Sequence, residues 1–467
     1  MSVKILHLFV FIIFITQQLC EEDRVFVESH LFNSSNIEEL KILDELAEED
    51  LLISINTETN NECRMESWNN ITTETLPNFK NYEKWKKDCV NCLSDLMSDG
   101  QMRLISSFVY SDFIAVVVSL LGDKHTGKLV YCHYYDCNHK KINRIFESEL
   151  FPAATVRCAR QSGAEYISIT LNISDIPVHP IPIQSRIEEP KYEIGVCGGQ
   201  VYGNHSIWLT IIEFIEHHRL IGASFFYLSI FYSDEKTIRV INDYERLGIL
   251  DPNFINLEYK FINFQFHIIQ MADCFYRSRM HSKWVINIDL DEIFVVKNSQ
   301  SFSSLLNSLP KSIIGLSFPV SRIQVVNQQS SKLENLMFYE KHTISTRPLW
   351  FSLKSIYQHK HSHSLFYHWA WRFDKGFRIM TMNSTIGYFR HYRKKFDGKE
   401  WVNGFVPYRN IKLNRTFSNT LKNKIIARIN YLFNQRYIAC EEIDPYFINY
   451  FKSKDKCIYR NGTGINV

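Results

Sequence analysis

Long basic tracts are missing from this sequence, and its formal net charge is only +3. A nucleic-acid partner needs a clustered positive surface, so that class is set aside. Compositional bias is missing too: 45% of residues are hydrophobic and 22% charged, the balance of a globular chain rather than a disordered or collagenous one. Beyond the first twenty residues no apolar stretch has the length of a membrane span. Nor is there a matched pair of zinc half-sites. Cys89 and Cys92 have CxxC spacing, but Cys132 and Cys137 do not repeat it.

What is present starts at the N-terminus. Lys4 precedes an apolar run from Ile5 to Ile15, short for a span and right for the core of a signal peptide. No small-x-small cleavage site follows, so residues 1–20 read as a signal peptide or a short uncleaved anchor. Both put the chain in the secretory pathway, as a secreted or a single-pass type II Golgi protein. Seven Asn-x-Ser/Thr sequons, at Asn33, Asn70, Asn172, Asn204, Asn383, Asn414 and Asn461, are candidate glycan sites there. Ten cysteines remain after Cys20, an even number that suits disulfides in an oxidising lumen. Cys440 with Cys457 would close a local loop. The 34 Phe and 24 Tyr are read first as core.

A chain of 467 residues exceeds one ordinary core. Residues 21–105 are polar and weakly periodic and read as a stem. β-rich segments follow over 106–190 and end in a proline-bearing linker, with Pro177, Pro180, Pro182 and Pro190. From 191 the pattern alternates. "YEIGVC" reads as a strand, and Ile207, Trp208, Ile211, Phe214, Ile215 and His218 recur at helical spacing. Asp234 caps a second helix that stops at Gly248. "FINLEYKFI" reads as a strand, "QFHIIQMADCFYRSRMH" as a helix, and "KWVINI" as a further strand. Such alternation predicts a mostly parallel sheet flanked by helices, with ligands at the carboxyl ends of the strands. This second domain is placed at 191–418. Residues 419–467 form a tail whose helix shows Leu421, Ile425, Ile429 and Leu432 on one face.

The segment "KWVINIDLDEIFVV" (283–296) puts three carboxylates between two apolar runs. On an extended chain Asp289 and Asp291 share a side and Glu292 points the other way, as a structural residue. Two converging carboxylates at a strand end suit a hard divalent cation, Mn²⁺ or Mg²⁺, completed by substrate phosphates. The bland alternative is a solvated turn, since a lone DxD is common. Asp273 and Arg277 pair at i,i+4 on the preceding helix, which already explains them as a salt bridge. Glu213 and Glu216 read first as a polar helix face.

The ordered stretch "VCGGQVYG…IWLTIIEFIEHHRLIGASFFYLSI…VINDYERLGIL…QMADCFYRSRMHSKWVINIDLDEIF", with "HYR" at 391–393, resembles glycosyltransferase family 92, from about Tyr192 to about Arg393. The resemblance implies a GT-A nucleotide-sugar-binding fold, a lumenal location and inverting transfer of galactose from UDP-galactose to a glycan. It implies a metal held by Asp289, Asp291 and His391. Gly198, Gly199, Tyr202, Asp273, Arg277 and Asp289 would frame the donor, and Lys354 and Arg393 would touch its diphosphate, beside the reading of each as an ordinary surface cation. Inversion needs a general base from residues 318–375, for which Glu340 and Asp374 are candidates beside the reading of each as a surface carboxylate. The family's usual proline and asparagine are replaced by Gln200 and Ala272. The histidine-rich "QHKHSHSLFYHWAW" offers a zinc alternative through His359, His361, His363 and His368, with His368 facing the acceptor cleft. Two other readings share these residues: a catalytically lapsed carbohydrate-binding protein and a phosphosugar transferase.

Overall fold

The computed structural model describes residues 63, 65–78, 83–87, 101–120, 125–177, 179–202, 206–255, 264–297, 302–325, 337–342, 344–366, 369–394, 408–409, 413–434, 438–439 and 457–458. The leader 1–20, Cys89 and Cys92, Cys440 with its expected bridge, and His368 lie outside them. Among the described residues no helix is long and apolar enough to cross a membrane.

The first sheet has seven strands: β1 (Leu104–Val109), β2 (Ile114–Val118), β3 (Leu129–Tyr135), β4 (Lys141–Glu149), β5 (Thr155–Cys158), β6 (Tyr166–Thr170) and β7 (Ile181–Ser185). Their order is β4-β3-β6-β7-β1-β2-β5. The sheet rolls until its ends meet at the Leu150–Val156 bridge, and a Cys132–Cys158 disulfide joins β3 to β5 across the interior. The segment expected to be a linker supplies β7. Prolines are tolerated there because the strand pairs with β6 only at Ile181 and Pro182, and with β1 only from Ile183 onward. The described part of the expected stem is also packed down. Arg160, nearly inaccessible, binds the carbonyls of Trp68 and Ser111. Trp85 is buried against Phe151, and Cys63 is bonded to Cys137.

The second sheet starts with the expected alternation: β8 (Tyr192–Cys197), α1 (Trp208–Leu220), β9 (Phe225–Ile230), α2 (Glu235–Arg246), β10 (Leu250–Phe254), α3 (Phe264–Ser278) and β11 (Ser282–Asn287). Asp234 accepts from the amides of Lys236 and Thr237 as the N-cap of α2. Gly248, at φ +69°, turns the chain just past its end. Of the strand expected at 254–262, Phe254 belongs to β10 and residues 256–262 lie outside the described residues. The parallel strands run β10-β9-β8-β11.

Then the pattern changes. β12 (Glu292–Val296), α4 (Phe302–Asn307), β13 (Ile313–Val325), α5 (Phe338–Lys341), β14 (Ile344–Ser345), β15 (Leu349–Tyr357), β16 (Ser362–Phe366), β17 (Trp369–Phe373), β18 (Arg378–Thr381) and β19 (Gly387–Lys394) follow. β15 is antiparallel to both β11 and β13, and β12 is antiparallel to β19. The eleven-stranded sheet is therefore mixed, not mostly parallel. The reason is the connections. Among the described residues from β11 to β19 no long crossover helix intervenes, and short links favour antiparallel neighbours.

α6 (Arg415–Asn434) crosses the expected boundary at 418. Leu421, Ile425 and Leu432 enter the same core as Ile194, Phe226 and Ile286, so the helix belongs to the second sheet and not to a tail. Between the sheets lies α3. Ala115 and Val117 of β2 pack with Ile268, Ile269, Phe275 and Tyr276, while Val116 and Val118 face the interior of the first sheet. Both faces of β2 are thus covered, which accounts for its unbroken "IAVVV".

Candidate active site

The order β10-β9-β8-β11 reverses direction at β8. α1 and α2 carry the chain outward one way, and α3 returns it to the other side of β8. A crevice opens at such a switch point, outside the carboxyl ends of the two central strands. β8 ends there in Cys197-Gly198-Gly199, and β11 ends in Asn287-Ile288-Asp289. The two ends touch. A Cβ on Gly199 would lie 2.8 Å from Asp289 Oδ1 and 2.9 Å from Asp289 Cα, so only glycine lets the chains approach this closely. Gln270 of α3 donates to the Gly198 carbonyl at 2.8 Å, and the Cys197–Cys274 disulfide ties β8 to the same helix.

Asp289-Leu290-Asp291-Glu292 is a turn, not an extended strand. The Glu292 amide donates to the Asp289 carbonyl at 3.0 Å, and the Asp289 amide donates to Glu292 Oε2 at 3.1 Å. The turn breaks the period of two, and Glu292 therefore points into the cluster it was expected to leave. It is fully buried, with Oε1 2.7 Å from Lys354 Nζ and 3.1 Å from His391 Nδ1. Lys354, itself buried, also lies 3.4 Å from Asp289 Oδ2. His391 stands directly across the strands from Glu292. Its Nε2 is 3.4 Å from Asp291 Oδ2 and accepts from Arg393 Nε at 2.7 Å. His267, near the start of α3, reaches Asp289 Oδ1 at 3.5 Å.

Burial works to raise the Asp291 carboxyl, but the neighbouring His391 outweighs it and holds it below its ordinary value. Burial pushes Glu292 up, and the Asp289 and Asp291 charges add to that against Lys354 and His391. One oxygen each from Asp291 and Glu292 and one nitrogen of His391 lie within 4.8 Å of one another. Carboxylate oxygens with one imidazole suit Mn²⁺ or Mg²⁺, so a site built on Asp291 and His391 fits such an ion.

Of the residues singled out in the sequence, Gly198, Gly199, Asp289, Asp291, Lys354 and His391 come together here, with Arg393 beside them. Tyr202 is half-exposed, just past Val201, which rejoins the sheet at Ile230. Asp273 and Arg277 do not line this crevice. Both are buried, and Asp273 accepts from Ser106 at 2.7 Å and Ser229 at 3.2 Å while pairing with Arg277 at 2.9 Å. Their partners are protein groups, and the pair braces α3 between the sheets.

Asp374 is engaged elsewhere, 3.3 Å from His361 Nδ1 and 3.2 Å from His363 Nε2. The Glu340 backbone belongs to α5; its side chain lies outside the described residues. Among the described residues the histidine-rich segment gathers no zinc set. His359 is turned inward, bonded to Ser278 at 2.7 Å and Asn287 at 3.2 Å, and burial pulls its pKa down to about 3. Glu213 and Glu216 are not a solvated face either, because α2, α6 and the 337–342 segment cover α1. Glu216 accepts from Tyr244 at 2.9 Å. Glu213 takes the Phe338 amide at 2.9 and 2.8 Å, and burial pushes its carboxyl up to about 8. It shares a cavity of about 20 Å³ with Asp291, Glu292 and Tyr392. Sequence reasoning missed His267 and misplaced Glu292. The signal for the first was present, since His267, Gln270 and Cys274 recur at i, i+3, i+7 on the face of α3 that meets the crevice.

Residues 192–437 match the sequence profile of glycosyltransferase family 92. The chain belongs to glycosyltransferase family 92. This family 92 chain is also 30% identical over 201 residues to galactan beta-1,4-galactosyltransferase GALS3 of Arabidopsis thaliana. That match takes in 41% of this chain and spans 39% of the plant protein. Among solved structures, S. aureus TarS 1-349 in complex with UDP-GlcNAc is 12% identical, over 56% of this chain and 73% of that one. Its TM-score of 0.25 is too low to carry an argument about architecture.

Proposed function

We propose that this family 92 chain transfers galactose from UDP-galactose to a glycan hydroxyl with inversion, on a GT-A-type arrangement and with Mn²⁺ or Mg²⁺. We place it in the secretory lumen, held as a type II protein if residues 1–20 remain and secreted if they are cleaved. The observation that carries the reading is the Asp289–Glu292 turn at the carboxyl end of β11, facing His391 across the switch-point crevice. The family and the galactosyltransferase relative support the sugar and the reaction class. All four described sequons, at Asn70, Asn172, Asn383 and Asn414, are exposed, as carriers of N-glycans must be.

Asp291 and His391 would hold the ion, with Asp289 beside them. When bound, it would neutralise the charge that develops on the departing UDP. Lys354 keeps Asp289 and Glu292 from repelling one another, and Arg393 presents a planar guanidinium where diphosphate oxygens would arrive. Gly198 and Gly199 let the end of β8 close against Leu228 and Asp289, and so fix the strand end that would wall the donor crevice. The general base that inversion needs would come from residues 318–375, with Glu340 and Asp374 as the candidates. Both Asp374 oxygens already face histidines.

The test incubates the purified lumenal portion with Mn²⁺ and a panel of UDP-sugars, beside Asp291→Ala. Galactose transfer with release of UDP, lost in the variant, is the expected result. Release of UMP assigns phosphosugar transfer instead. No consumption of any donor, or equal activity of the variant, sinks the reading.

A further inference from the structure

Imidazole has one lone pair to give a cation. Which edge of His391 faces which neighbour therefore separates ligand from support. Two carboxylates flank this ring: Asp291 at Nε2 and Glu292 at Nδ1. The Arg393 guanidinium settles the tautomer, because an arginine N–H can only donate, and it donates to Nε2 at 2.7 Å. Nε2 therefore carries the lone pair and Nδ1 the proton, 3.1 Å from Glu292 Oε1, a buried oxygen with no aligned hydrogen bond of its own among the described residues.

We propose that Glu292 is a positioning residue and not a metal ligand: it holds His391 as the Nδ1–H tautomer, with the Nε2 lone pair turned toward Asp291. This rests on the reading of the site as a metal-dependent transferase. The cation position lies on the Asp291–Nε2 edge, where Arg393 now sits 3.9 Å from Asp291 Oδ2. Metal-binding histidines generally have their second nitrogen fixed by a carboxylate or carbonyl, which sets ring orientation and basicity. Glu292 is built for that part. It is fully buried, its Oε2 takes the Asp289 amide, and its Oε1 stands 2.7 Å from the buried Lys354 ammonium. A cation placed instead between Glu292 and Nδ1 would crowd that ammonium, and displacing Lys354 would leave a buried charge uncompensated. One residue thus orients three groups: the Asp289 backbone, Lys354 and His391.

The experiment measures Mn²⁺ binding by electron paramagnetic resonance without donor. It also reads the His391 tautomer by ¹⁵N NMR in metal-free protein, assigned through His391→Asn. Variants are Glu292→Gln, which keeps an acceptor oxygen, the pair Glu292→Leu/Lys354→Met, which removes both buried charges together, and Asp291→Ala. Folding is checked by circular dichroism. Wild type is expected to show the Nδ1–H tautomer, and Glu292→Gln to retain it with Mn²⁺ affinity within about threefold. The double variant is expected to lose the preference and to bind Mn²⁺ about 10–100-fold more weakly. Asp291→Ala is expected to abolish binding with the tautomer unchanged. The proposal is overturned if wild-type His391 is protonated at Nε2, or if the double variant matches wild type in both readouts. Equal loss of Mn²⁺ in Glu292→Gln and Asp291→Ala would also overturn it, by making Glu292 a ligand. If wild type binds no Mn²⁺ yet shows the Nδ1–H tautomer that the double variant loses, the positioning role stands and the metal reading falls.

Discussion

Gly199 has no room for a side chain, because Asp289 backbone and carboxylate fill the space a Cβ would take. Gly199→Ala must push the two strand ends apart, and overpacking of this kind costs about 1–3 kcal/mol. The same displacement moves Asp289 relative to Lys354 and His391. The variant is expected to unfold at lower urea and to bind donor nucleotide more weakly; equal values for both would show that the strand ends yield freely. At this scale the sequence announced much of the site. Asp289 and Asp291 stood out by polarity within apolar strands, and His391 and Lys354 followed from the family resemblance. Glu292 was misjudged because alternation holds only on an extended chain, and a turn starts at Asp289. His267 was overlooked because its partner Asp289 lies on another element, although its spacing with Gln270 and Cys274 put it on the face of α3 that meets the crevice.

At the scale of elements, α1 shows how burial rewrites a helix. Its "EFIEHH" run looks amphipathic, yet Glu213, Glu216, His217 and His218 are all buried. His217 reaches the Phe294 carbonyl at 2.7 Å and His218 accepts from the Phe294 amide at 3.3 Å, so α1 pins β12, the strand that starts at Glu292. Glu213 pins α5 in the same way. Folded Glu213 keeps its proton up to about pH 8, whereas the free carboxyl releases it near 4.5. Between those values the native state holds more protons than the unfolded one, so this group's contribution to stability falls as pH rises through them. One pKa unit corresponds to roughly 1.4 kcal/mol at most. Glu213→Gln, close in shape to the protonated acid, is expected to flatten the decline in melting temperature between pH 5 and pH 8. Parallel slopes in the two proteins would refute the buried-acid reading. α6 offers a second check. Leu421→Ala is expected to cost about 2–5 kcal/mol in chemical denaturation, as for a core position; a loss under 0.5 kcal/mol would return the helix to the status of a tail. The helical periodicity was readable beforehand, but its destination was not.

At the scale of the whole molecule, α3 joins the two sheets. One face carries Phe275 and Tyr276 into the first sheet, and another carries Gln270 and Cys274 to the crevice. Asp273 bridges the two sheets by bonding Ser106 on one and Ser229 on the other. Asp273→Ala leaves Arg277 buried with only the partly exposed Asp251 nearby, and breaking such a pair costs about 3–5 kcal/mol. Lower stability to urea with near-normal donor affinity is expected; a selective loss of donor affinity would instead return Asp273 to the nucleotide pocket. By itself the sequence determined the alternation from β8 to β11, the cap of α2 and the polar break after "KWVINI", because each is written in local periodicity and residue chemistry. The order of the strands, the antiparallel turn of the later sheet, and the meeting of Asp291 with Glu292, Lys354 and His391 were decided only by tertiary structure. Those contacts join positions far apart in the chain, and no local pattern encodes which distant strand will arrive alongside.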